Sequence, residues 1–211
     1  MKRIFSIIWI CIIPGIAGYS QYISEVLEYI PAPSQYMNAA PWGIPTAASS
    51  IIGGLNGNLS LGAFGGYVVF RFERAVENDP ENPYGIDFTI FGNPAPNWSE
   101  PGIVSVMKDE NGNGMADDTW YVLAGSDHYF STSEKQYSVS YQNPGTDSAA
   151  NIPWIDSHGS TGEIKANSFY RQSYYPMADS FPQIDQESYT LSGAKIHSTV
   201  DTSSPASIFS L

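Results

Sequence analysis

Residues Asp109 to Asp118 read D-E-N-G-N-G-M-A-D-D and place oxygen-bearing side chains at alternate positions, on Asp109, Asn111 and Asn113. Gly114 stands sixth, where a loop closing on an ion needs a sharp turn and no Cβ. Met115 can offer its main-chain carbonyl, and Asp117 or Asp118 can close the shell. Hard oxygen donors in a short curled loop suit Ca²⁺ better than Mg²⁺ or Zn²⁺. The spacing follows the first half of an EF-hand loop but not its end, because Trp120 occupies the place of the bidentate Glu. The two Asn-Gly pairs are also strong turn formers without any metal, so a plain hairpin turn is the alternative. Under either reading the loop is structural rather than catalytic.

Other candidate chemistry is sparser. His158-Gly159-Ser160-Thr161-Gly162, with Asp156 nearby, is similar to the segment around a subtilisin-type histidine. No nucleophile motif accompanies it, so a polar turn is expected there. His128, His158 and His197 are scattered and show no zinc-binding spacing. Glu73, Glu100 and Asp127 are carboxylates that a glycosidase pair could use, although none sits in an informative motif. Trp98, Trp154, Tyr174 and Tyr175, with Tyr170, fall in Pro- and Ser-rich, loop-like surroundings. Aromatic faces with a polar tip suit a sugar ring or a corrin edge, so the first four form the candidate ligand surface.

Strands must position these groups. Ile103 to Met107 and Trp120 to Leu123 are β-like and flank the loop. Tyr67 to Phe72 alternates, with Val68, Phe70 and Phe72 on one face. Ile86 to Phe91 reads as another strand with Ile86, Phe88 and Ile90 inward, and Tyr137 to Tyr141 alternates likewise. Asn58 to Leu61 is a short strand and Lys195 to Val200 a final one. Ile23, Val26, Leu27 and Ile30 fall at helical spacing before Pro31, inside a lead-in over residues 21–45 that includes Trp42 as a core plug. Asn143-Pro144-Gly145 and Ile152-Pro153 are expected breaks. Short strands with regular turn punctuation indicate an all-β fold, a β-sandwich of jelly-roll type, over residues 46–211.

Composition narrows the setting. The 211 residues can bury one sizeable core, and only 14% are charged against 14% aromatic. A net charge of −12 without any basic run excludes a phosphate-binding surface and hence a nucleic-acid partner. Lys2 and Arg3 precede an apolar stretch from Ile4 to Ile16, and Gly18 and Ser20 are small residues ahead of a cut before Gln21. Residues 1–20 are therefore expected to be a cleaved signal peptide, placing the mature protein outside the cell or on its surface. Cleavage removes Cys11, the only cysteine, so no disulfide can stabilise the mature chain. Bound calcium would be a substitute staple.

The assembled motifs resemble a known group. Leu61-Gly62-Ala63-Phe64-Gly65-Gly66-Tyr67, the run from Asn82 to Asn93, Ser99 to Val104, and the loop from Asp109 through Trp120 to Ser126 are similar to a family of cell-surface proteins of Bacteroidetes-type bacteria, some carrying PKD modules. The resemblance runs from about Tyr29 to about Gly193. It implies a secreted or outer-surface β-sandwich without established catalytic residues, associated in some members with cobalamin uptake and with other outer-surface proteins. Members continue past the equivalent of Gly193 with further strands, so the resemblance also implies an incomplete sandwich and an open sheet edge here. The expected function is a non-catalytic, calcium-stabilised binding module for a glycan or a small nutrient such as a corrinoid. A carbohydrate-active enzyme on the same sandwich is the alternative.

Overall fold

A computed structural model describes residues 21–55, 57–92, 102–125 and 128–196. The fold is all-β and sandwich-like, its named strands all pair antiparallel, and no barrel closes among the described residues. The strands are β1 (Ile23–Ile30), β2 (Tyr67–Phe72), β3 (Ser105–Met107), β4 (Trp120–Val122), β5 (Glu134–Gln142), β6 (Ile152–Asp156), β7 (Thr161–Ile164) and β8 (Ser188–Lys195). They form a β1–β2 pair, a β3–β4 hairpin, and a four-stranded sheet in the order β7-β6-β5-β8. No helix among the described residues is long and apolar enough to cross a membrane.

The four-stranded sheet carries most of the core. Tyr137, Val139 and Tyr141 alternate inward along β5 and are buried. Their partners on β8 are Gly193, Leu191 and Tyr189, which share that face because opposed residues point the same way. Small meets large where it must: Phe64 stacks edge-on to Tyr137 at 5.0 Å, in the space left beside Gly193. The buried Tyr141 hydroxyl donates to the Phe64 carbonyl at 2.9 Å, satisfying both groups away from water. Tyr29 of β1 and Ala32 belong to the same core cluster, so the β1–β2 pair packs on this sheet and residues 21–45 contribute to the core.

Several sequence expectations need correcting. The segment Ile23 to Ile30 is a strand rather than a helix. Its register against β2 slips at Ser24 and at Leu27, each an extra residue opposite one step of the partner. Two such bulges turn an alternating pattern into one with spacings of three, and that imitates a helix. Ile86 to Phe91 is not a strand, and Ile86, Ile90 and Phe91 are exposed. Asp87 instead ties back a loop, accepting from the Asp79 amide and the Asn82 side chain. Asn58 to Leu61 lacks a ladder, and Ile152-Pro153 does not break the chain but opens β6. Pro153 is tolerated because the β5–β6 register ends at Trp154. The last described strand is β8, which Lys195 ends rather than begins; residues 197–200 lie outside the described set. Trp42 is 38% exposed and rests edge-on against Tyr36, so it lies over the core rather than inside it.

Candidate metal loop

The loop of residues 108–119 joins β3 to β4, with Met107 opposite Trp120 and the Leu123 amide bonded to the Val104 carbonyl. Its β-strand flanks are as the sequence indicates. Asp109 stands at the mouth: one oxygen accepts the Gly112 and Asn113 amides at 2.7 and 3.1 Å, the other the Gly114 amide at 2.8 Å. Three N–H groups on one carboxylate curl the backbone into a bowl. Gly112 and Gly114 adopt φ of 71° and 74°, a region that costs a side-chain-bearing residue energy, which explains the glycine at the sixth position.

The remaining polar side chains converge on Asp117. Asn111 and Asn113 direct their amide groups at its two oxygens, at 3.3 and 3.0 Å. Those hydrogen bonds, the one from Asn113 foremost, hold the Asp117 carboxyl below the usual carboxylate range. Asp118 does something else: it accepts the Glu110 amide at 2.9 Å and closes the base of the loop. The structure thus separates two acids that the sequence leaves interchangeable. Met115 is exposed, and its amide donates to the side-chain oxygen of Asn113 at 2.7 Å. A half-turn of an Asn side chain would exchange its NH₂ for its carbonyl oxygen beside Asp117. The donors available to a cation are hard oxygens only, as calcium requires. Among the described residues no three His, Cys, Asp or Glu side chains alone form a metal-sized group, so the two amides and a main-chain carbonyl would have to complete the shell.

The aromatic ligand surface is not assembled. Tyr174 and Tyr175 are 1% and 0% exposed and belong to the core. Tyr175 donates to the Asp185 carbonyl at 2.5 Å and meets Tyr189 edge-on, and burial pushes its phenol pKa up. Trp154 is half-buried and packs on the core, its indole filling the place that a side chain on Gly162, its β7 partner, would occupy. Trp98 lies outside the described residues. Tyr170 is partly buried and stacks edge-on to Tyr36. Aromatic content in a Pro- and Ser-rich stretch could not distinguish a loop platform from an irregular segment folded into the core. What the sequence missed is the clamp that buries this segment. Asn38, at φ 59°, donates to the Ser173 and Tyr175 carbonyls at 2.9 and 2.7 Å and accepts the Met177 amide at 2.9 Å. An Asn where the chain turns left-handed was the only available signal.

The segment around His158 is the β6–β7 hairpin turn. Asp156 accepts the His158 and Ser160 amides and the Tyr137 hydroxyl, and so caps the turn. His158 instead meets the Glu134 carboxylate at 2.8 and 2.9 Å. Glu73 is exposed, while Glu100, Asp127 and His197 lie outside the described residues, as does the segment 1–20. No protein-family model matches the chain, and no curated protein matches it.

Proposed function

We propose that this chain is a non-catalytic module of an exported protein, with calcium held in the β3–β4 loop. The observation that carries the reading is the convergence of Asn111, Asn113 and Asp117 inside a bowl whose backbone Asp109 shapes. Export is read from Lys2 and Arg3, the apolar stretch from Ile4 to Ile16, and the small residues Gly18 and Ser20. A cut before Gln21 leaves the two 2.9 Å hydrogen bonds that Gln21 exchanges with the Arg74 main chain. No cysteine follows Cys11, so after export no disulfide could restrain the loop and a bound cation would take that role.

Calorimetric titration of the purified protein tests the metal. One calcium per chain is expected, with a dissociation constant on the order of 10⁻⁴–10⁻³ M, as for other extracellular modules. Asp109→Ala, which removes the residue that shapes the bowl, and Asp117→Ala, which removes its central carboxylate, should each abolish the heat. Magnesium should compete poorly because it gives up water reluctantly. No heat from the unaltered protein, or equal heat from Asp117→Ala, would overturn the assignment.

A further inference from the structure

A groove of about 580 Å³ runs along β8, independent of the metal loop. Its floor holds Ile184 and Leu191, both buried, and its far bank is Ile30 and Tyr67 at the paired end of β1 and β2. The near bank is the strand itself, from Ser188 to Ser192. This strand is the outer member of its sheet: β5 pairs with it along one side, and among the described residues no strand pairs with the other. Natural edges are usually blocked by a proline, a central charge or a bulge. From Ser188 to Ala194 β8 has no proline and no charge, and its one register irregularity lies at the far end, opposite Glu134 to Tyr137. Along one side the edge is therefore unpaired among the described residues, regular, and bordered by a trough with an apolar floor.

We propose that the β8 edge is a docking site for an extended basic peptide, which adds to the sheet as a further strand lying in this groove. Main-chain hydrogen bonds to the free side of β8 would supply affinity, and alternate side chains would fall toward Ile184 and Leu191. The charge of the occupant follows from the lining. Asp185 lines the groove, burial and the nearby Glu28 carboxylate raise the pKa of the Tyr67 phenol on its far bank, and among the described residues no Lys or Arg lines it. The whole chain carries −12, which favours a cationic partner and opposes a second copy of itself.

The probe is a fluorescein-labelled hexapeptide alternating Lys and Val, followed by anisotropy on the full protein. It should bind about tenfold or more tightly than the matching Glu and Val peptide, and weaken as salt rises. Methylating alternate backbone nitrogens of the probe should cost about tenfold, because strand addition needs those N–H groups. Ser192→Lys changes an exposed position and should cost a similar factor while leaving the melting temperature unchanged. Amide resonances of Tyr189 to Ser192 should shift on binding. Absence of binding, equal binding of the methylated probe, indifference to Ser192→Lys, or self-association of the protein through this edge would each overturn the proposal.

Discussion

His158 and Glu134 show how a residue pair that is silent in sequence acquires a titration of its own. They lie 24 positions apart, yet the β6–β7 turn brings the imidazole onto the carboxylate. The hydrogen bond that His158 donates to Glu134, followed by the charge of that carboxylate, raises the His158 pKa above its ordinary 6.5. Because the folded-state value lies above the unfolded one, the associated stability is fully present below about pH 6.5 and is lost as pH rises through the folded value. Both side chains are largely open to water, so the effect on stability is small and is best read spectroscopically. The His158 ring resonances should titrate above 6.5 in the unaltered protein, and Glu134→Gln should bring the midpoint down. An unchanged midpoint in that variant would show that the contact does not exist in solution. Asp117 runs the other way. Its lowered pKa means that the Asn113 and Asn111 contacts help at neutral pH and are lost as pH falls below the carboxylate range.

At the scale of elements, alternation was legible where a regular strand carries large apolar residues, and it failed at bulges, in small polar sequence, and in the loop from Ile86 to Phe91. Tyr67 to Phe72 and Tyr137 to Tyr141 gave themselves away by a period of two, and both are strands. The bulges at Ser24 and Leu27 disguised β1, and Ser188 to Lys195 escaped notice because Ser, Gly and Ala weaken its apolar signal. The curl of the β3–β4 loop was legible because its contacts are local: spacing within ten residues fixes which groups can meet. The ligand surface was not, because burial of Tyr174 and Tyr175 depends on Asn38, more than 130 residues away. That clamp is testable. Asn38→Ala removes three hydrogen bonds from part-buried main-chain groups and puts a Cβ without side-chain compensation at φ 59°. It should cost about 2–4 kcal/mol in urea unfolding. Asn38→Gly relieves the backbone but not the lost bonds, so it should recover only about 1 kcal/mol of that. A loss below the error of the measurement for both variants would mean that other contacts hold the segment.

At the scale of the whole molecule, the β3–β4 hairpin stands apart from the body. Among the described residues its strands pair only with each other and none of its residues belongs to the core cluster, and Trp120, Tyr121 and Val122 are all exposed. Its described link is Arg71, which bonds the Gly114 carbonyl at 3.4 Å while pairing with Glu25 at 2.5 Å. Exposed ion pairs of this kind contribute about 0–1 kcal/mol, too little to make hairpin and core unfold as one unit. Regions with few buried contacts open separately, at lower free energy than the core. Calcium at about a hundred times its dissociation constant would add roughly 2.7 kcal/mol to whatever unit must be folded to bind it. If that unit is the hairpin, a bound cation would staple one element rather than the whole chain. Hydrogen exchange separates the two cases. The Leu123 amide, bonded to Val104, should gain about a hundredfold protection at that calcium concentration, while the Tyr141 amide in the central strand should not change. Equal gains at both amides would mean that the hairpin and the core fold as one cooperative unit, and that the Arg71 link is stronger than an exposed pair allows.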